Sequence, residues 1–112
     1  MKLIRAYVRI TRADKVLDAL TEAGILHATL THVIAVGPHI DPDKSRVSVE
    51  FGRKANRMVK LELICADRDE TKMVELIRDA ACTRQPGDGV ITVQNLNRLV
   101  KIRTAEESLE AL

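Results

Sequence analysis

Thr83-Arg84-Gln85-Pro86-Gly87-Asp88-Gly89 joins a glycine-rich turn to the β-branched run Val90-Ile91-Thr92-Val93, and Lys101 and Arg103 follow in the short segment Leu99–Thr104. A Pro-Gly-Asp-Gly turn leaves backbone N–H groups unscreened by bulky side chains and lets φ become positive at both glycines. If Leu99–Thr104 is a strand, Lys101 and Arg103 project from one face of it, because side chains two apart in a strand point the same way. Two cationic donors beside such a turn make a cradle for an anion, a phosphate above all. The plainer alternative is a tight turn into a strand whose solvent face is basic.

The other chemistry-bearing residues are scattered. His27, His32 and His39, with Cys65 and Cys82, raise metal binding as a candidate. Within one extended strand His32 points opposite to both His27 and His39, and the latter two lie about 40 Å apart if extended, so no single-strand site joins them. A metal site would have to assemble between chains. The two cysteines are 17 positions apart with no CxxC spacing, which predicts free buried thiols. Asp88 and Glu62 are candidate bases for a nucleotide hydrolase, but no nucleophile–base pair is visible.

The elements that must position these groups follow from hydrophobic period. Ile4, Ala6, Val8 and Ile10 alternate with Arg5, Tyr7 and Arg9, which predicts a half-buried strand over residues 2–10. Thr11 and Asp14 predict a capped helix with a stripe of Ala13, Val16, Leu17, Leu20 and Ala23 and a stop at Gly24. Thr29 to Val36 is β-branched and predicts a second strand. A third strand carries Val59, Leu61, Leu63 and Cys65 on one face and Lys60, Glu62 and Ile64 on the other. Asp67 and Glu70 predict a second capped helix, with Met73, Val74, Ile77, Ala80 and Ala81 buried. Val90 to Val93 begins a fourth strand. This βαββαβ order predicts an α+β, ferredoxin-like split βαβ sandwich, with two helices on one sheet face and the other face left for solvent or a partner.

Between the second and third strands, residues 37–56 change character. Gly37-Pro38 and Asp41-Pro42 are breakers, and charges crowd around them. An insertion of this length in a small domain predicts an interaction loop; the alternation of Val47-Ser48-Val49-Glu50-Phe51 offers a hairpin instead.

Composition narrows the class. A chain of 112 residues, 46% hydrophobic, fits one domain, 1–112, with an aliphatic core, since it has one Tyr, one Phe and no Trp. Eighteen Lys and Arg against 16 Asp and Glu leave a net charge of +2, too balanced for nucleic acid as principal partner, and the aromatics that stack on bases are missing. Charges interrupt the amino-terminal apolar residues, and no run reaches the length of a membrane span, so a cytoplasmic protein is expected.

The whole chain resembles the PII signal-transduction proteins. Gly87-Asp88-Gly89 through Leu99-Val100-Lys101-Ile102-Arg103-Thr104 to Glu106 is similar to that family's GDGKIFV…IRIRTGE block. Ala19-Leu20, Glu22-x-Gly24-Ile25, Thr29-x-Thr31-x-Val33, Gly37 and Val59-Lys60-Leu61-Glu62 agree with it. The resemblance implies a non-enzymatic regulator: a homotrimer whose sheets line a central barrel, with an adenine nucleotide (ATP, ADP or AMP) in the cleft between neighbouring subunits. By position, Gly87, Asp88 and Gly89 would meet the phosphates, Lys101 and Arg103 would supply charge, and Gly37, Thr29, Glu62 and Ile64 would frame base and ribose. Residues 37–56 would be the loop that reaches a target protein, a membrane transporter or an enzyme, with His39, Lys44, Arg46, Ser48, Phe51 and Arg53 as its contact residues. The architecture is also similar to that of divalent-cation tolerance proteins, which keeps a metal-sensing trimer as the alternative.

Departures from the family pattern qualify these expectations. Val90 and Met58 stand where lysines are usual, so the cradle is short of cations. Pro38 and His39 replace the Arg-Gln pair at the loop base, which puts Mg²⁺ and 2-oxoglutarate binding in doubt. Phe51 replaces a modifiable tyrosine, leaving only Ser45 and Ser48 hydroxyls nearby.

Overall fold

A computed structural model of the chain describes residues 1–25, 27–36, 46–48 and 53–112. Gly37, His39, Lys44 and Phe51 lie outside the described residues, as do Pro38 and Ser45.

Strand β1 (Lys2–Arg9) leads directly into helix α1 (Ile10–Glu22); β2 (Thr29–Val36), β3 (Arg46–Ser48) and β4 (Arg53–Cys65) follow, then α2 (Glu70–Ala81) and β5 (Val90–Asn95). The main sheet runs β2-β4-β1-β5 with all neighbours antiparallel. Each helix therefore joins two strands separated by one other, β1 to β2 across β4 and β4 to β5 across β1, which is the predicted split βαβ arrangement.

Alternation decides the layers. Ile4, Ala6 and Val8 of β1 and Val59, Leu61, Leu63 and Cys65 of β4 are buried beneath the helices. Val16 and Leu20 of α1 and Met73, Ile77 and Ala81 of α2 close the core from above, with Ala13, Leu17, Ala23, Val74 and Ala80 packed around them. Both predicted helical stripes are thus the buried ones. A hydrogen bond from Arg12 Nε to the Ala80 carbonyl, 3.0 Å, ties the two helices together.

The helix ends follow their local residues only in part. The α1 stop is as predicted: Gly24 at φ +86 donates to Thr21 O, and Ile25 donates to Leu20 O, a Schellman closure. The starts differ. Helix α1 begins at Ile10 with Arg9 as its N-cap, so Thr11 lies inside the first turn, and no side chain caps it. At α2 a short 3₁₀ turn, Asp67–Asp69, precedes the helix, again with no side-chain cap. Asp67 pairs instead with the amino terminus, at 2.9 Å.

Strand β4 is longer than its predicted core. Arg46–Ser48 pairs with Arg53–Ala55, so part of the 37–56 segment is a hairpin. Ala55 is opposite Val36 of β2 and also opposite Arg46, which places β3 on the other edge of β4 from β2. Arg46, Ser48 and Arg53 are strand residues rather than loop residues.

The largest correction falls on Leu99–Thr104. It is not a strand: β5 ends at Asn95, and Ile102–Thr104 form a turn. Ala105 N donates to Lys101 O and Lys101 N to Glu106 O, closing a hook, with Ala105 held at φ +60. The chain reverses between the two cations. Lys101 is half-buried and Arg103 exposed, so a shared strand face does not exist.

Candidate functional site

The Gly-Asp-Gly turn is held by its aspartate. Asp88 Oδ2 accepts from the amides of Thr83, at 2.8 Å, and Arg84, at 3.0 Å. Its Oδ1 accepts from the Thr83 hydroxyl and, at 2.9 Å, from Arg9 Nε. The Arg9 guanidinium reaches on through Nη2 to the Pro86 carbonyl, 2.7 Å, and is only 4% exposed. Burial alone would raise the Asp88 pKa, but the hydrogen bonds from Thr83 and Arg9 overcome it and hold the carboxyl at about 2. A carboxylate so occupied and so acidic is a poor general base, contrary to the role open to it from sequence.

Two glycines make the turn's path feasible. Gly87 and Gly89 have φ +97 and +102, as the Pro-Gly-Asp-Gly pattern predicts. A Cβ on Gly89 would stand 1.7 Å from the Tyr7 carbonyl oxygen and 3.1 Å from Met58 Cε, so the turn lies directly on the end of β1. Among the described residues, the Gly87, Asp88 and Gly89 amides have no acceptor, which is the free N–H array an anion would use.

Met58 and Val90 have different surroundings. Met58 is 4% exposed, beneath Gly89 and opposite Arg9. Val90 is 59% exposed, paired with Tyr7 on the open face. Of the two positions expected to lack a cation, both border the turn, but Met58 is buried beneath it and Val90 is exposed.

The base-framing residues gather elsewhere. Thr29, Glu62 and Ile64 line a cleft of about 430 Å³ with Leu3, His27 and Leu112. Glu62 accepts from Arg5 Nε at 3.0 Å, and Lys60 Nζ lies 3.5 Å away. The Arg5 hydrogen bond, opposed by partial burial and reinforced by Lys60, lowers the Glu62 pKa and keeps it a carboxylate at neutral pH. Ile64 pairs with Leu3, whereas the turn sits over Tyr7 and Arg9, six residues along β1. Glu62 and Thr29 lie level with Arg5, so at strand spacing the cleft and the turn are about 7–20 Å apart, on successive stretches of one sheet. Lys101 and Arg103 belong to the segment that leaves β5 at the cleft end, where Leu96 N donates to Met1 O.

Arg9 and Thr83 carry little signal in the sequence. Arg9 looks like one more polar residue on the outer face of an alternating strand, and its partner is 79 positions away. Thr83, five residues before Asp88, carried the fainter signal of a local side-chain-to-backbone turn. Cys65 is buried as expected, with burial pushing its thiol pKa up, but Cys82 is exposed. Among the described residues no three His, Cys, Asp or Glu side chains converge as a metal would require.

A split βαβ sandwich with an uncovered sheet face, a glycine turn held by Asp88 and a mixed polar–apolar cleft further along the sheet defines a small α+β module. The model of the family "Nitrogen regulatory protein P-II" matches residues 1–106. Proteins of that name from Rhizobium meliloti (strain 1021) and Mesorhizobium japonicum are each 33% identical to the chain over 112 residues, covering all of both chains. One from Pasteurella multocida is 31% identical over 118 residues, again covering both in full. The chain belongs to the nitrogen regulatory protein P-II family. Among the described residues, no helix is long and apolar enough to cross a membrane.

Proposed function

We propose that this chain is a regulatory protein that binds an adenine nucleotide between copies of itself in a homotrimer and signals to a target protein through residues 37–56. The observation that carries this reading is the separation of the half-sites. Free amides at Gly87–Gly89 lie over Tyr7 and Arg9, while the Thr29–Glu62–Ile64 cleft opens over Leu3 and Arg5 and includes none of the turn's residues in its lining, so the two are separate half-sites along one sheet. A second copy brings one half-site against the other.

In that arrangement the amides of Gly87, Asp88 and Gly89 meet phosphate oxygens, with charge from Lys101 and Arg103. Thr29, Glu62 and Ile64 border the ribose and base, with Gly37 at the entrance to the loop. Glu62 enters as a carboxylate already engaged by Arg5 and Lys60, suited to accept a hydrogen bond from a ribose hydroxyl or a base amino group. The uncovered face, with Leu3, Tyr7, Val33, Ile64 and Val90, becomes the lining of the trimer. A ligand at the loop's base shifts the loop's conformational populations by its differential affinity, which is how occupancy reaches a cytoplasmic partner such as a transporter or enzyme.

Calorimetry with ATP, ADP and AMP, with and without Mg²⁺, tests the reading. Micromolar binding of at least one nucleotide is expected, weakened by Lys101→Ala or Arg103→Ala; absence of binding to all three refutes it. Light scattering after size exclusion tests the trimer independently, and a monomer counts against the intersubunit site.

A further inference from the structure

We propose that Arg9 is a positioning residue for the anion turn: it touches no ligand, but its guanidinium fixes the direction of the Gly87–Gly89 amides and cancels the Asp88 carboxylate beside them. The inference rests on the nucleotide reading above and adds to it a residue from the opposite end of the sequence. Arginine is almost never buried without partners, and Arg9 is 4% exposed. Its partners include two groups either side of Gly87, the Asp88 carboxylate at 2.9 Å and the Pro86 carbonyl at 2.7 Å, with a longer contact of 3.5 Å to the Gln85 carbonyl.

The guanidinium is a rigid plane whose donors diverge at fixed angles, so the two acceptors cannot move independently. Gly87, between them, is held at φ +97. The turn's opening amides therefore face outward as a preformed set, and ordering them adds no cost when an anion arrives. Asp88 would otherwise oppose that anion. Its carboxylate adjoins the same amides, and at a partly buried site like charges repel strongly. Arg9 is the cation that contacts Asp88, and Thr83 and Arg84 add only neutral N–H and O–H donors.

The test compares ATP and ADP affinity in wild-type protein, Arg9→Met, Arg9→Lys and the double variant Arg9→Met/Asp88→Asn, with folding of each checked by thermal melting. Arg9→Met is expected to weaken binding by about tenfold or more, because it leaves Asp88 uncompensated and the Pro86 carbonyl unheld. The double variant is expected to regain at least about threefold of that loss, since removing the carboxylate removes the repulsion; a residue needed only for folding would give no such recovery. Arg9→Lys keeps the charge without the fork and is expected to fall between Arg9→Met and wild type. A folded Arg9→Met with wild-type affinity overturns the proposal, as does a double variant no tighter than Arg9→Met. Should Arg9→Met not fold, wild-type affinity in Arg9→Lys overturns the requirement for the two-pronged contact. Wild-type protein that binds neither nucleotide refutes the nucleotide reading itself, an outcome distinct from normal wild-type binding that is indifferent to Arg9.

Discussion

Replacing Gly89 by alanine separates two costs that a glycine can conceal. Gly24 and Gly89 both sit at positive φ, +86 and +102, so alanine at either position pays the conformational penalty of that region, about 1–2 kcal/mol. At Gly24 a new Cβ meets nothing within 4 Å, and that penalty is the whole effect. At Gly89 the Cβ lands 1.7 Å from Tyr7 O and 2.8 Å from Tyr7 C, both backbone atoms of a strand locked between β4 and β5. The turn must then retreat by more than an ångström, which pulls Asp88 away from Arg9 and forfeits a charge-assisted bond worth about 1.5–3 kcal/mol. Gly89→Ala should therefore destabilise by about 2.5–5 kcal/mol, against about 1–2 for Gly24→Ala. Set against a total stability of about 5–15 kcal/mol, the first is a large fraction and the second a modest one. Urea unfolding followed by far-UV circular dichroism gives both values, and thermal melting should show Gly89→Ala lower by about 15 °C. If Gly89→Ala costs no more than Gly24→Ala, the close seating of the turn on β1 is wrong.

Three further outcomes follow from particular contacts. The Asp88 carboxyl is held at about 2 against an ordinary 3.8, so the unfolded chain binds the extra proton first: its contribution of about 2 kcal/mol is complete above pH 4 and is lost as pH falls toward 2, and Asp88→Asn should flatten that acid limb in pH-dependent denaturation. An equally steep limb in the variant would deny Asp88 that role. Ala105→Gly relieves a φ of +60 in the carboxy-terminal hook and should slow amide hydrogen exchange at Lys101 and Ala105, by an amount matching about 0.5–1 kcal/mol; unchanged or faster exchange argues against the hook. Val90→Lys adds a cation at an exposed position beside the turn and should tighten ATP over AMP by about three- to tenfold in calorimetry; equal gains for both would mean the side chain does not meet the outer phosphates.

What could be read in the sequence was whatever depends on period. Ile4, Ala6 and Val8 alternate because one side of β1 faces helices, and Val16 and Leu20 recur at helical spacing because one side of α1 faces the sheet. From these the layers and the split βαβ order followed. Turn chemistry was equally legible at Gly24, Gly87 and Gly89, where a positive φ is required. Partnerships across long separations left no such trace. Thr11 and Asp67 look like caps, yet Arg9 at the strand end starts α1 and the amino terminus takes Asp67. Lys101 and Arg103 are spaced as strand neighbours, but the Lys101–Glu106 and Ala105–Lys101 bonds turn the chain between them. Of the expected site, Thr29, Glu62 and Ile64 share one cleft, while the Asp88 side chain is taken up by Arg9, Thr83 and Arg84, a partnership with no trace in the spacing.

The clasp between Arg9 and Asp88 spans 79 positions, and that span governs when the turn can be completed. A chain still emerging from the ribosome has Arg9 long before it has Asp88, and a loop of that length closes only after β1 and β5 have been brought side by side. The bonds from Thr83 and Arg84 are local, but the clasp with Arg9 closes only when the outer strand is home. A ligand that needs the turn's amides would recognise finished protein and ignore partly folded chains, and by mass action it would draw the population toward the finished state.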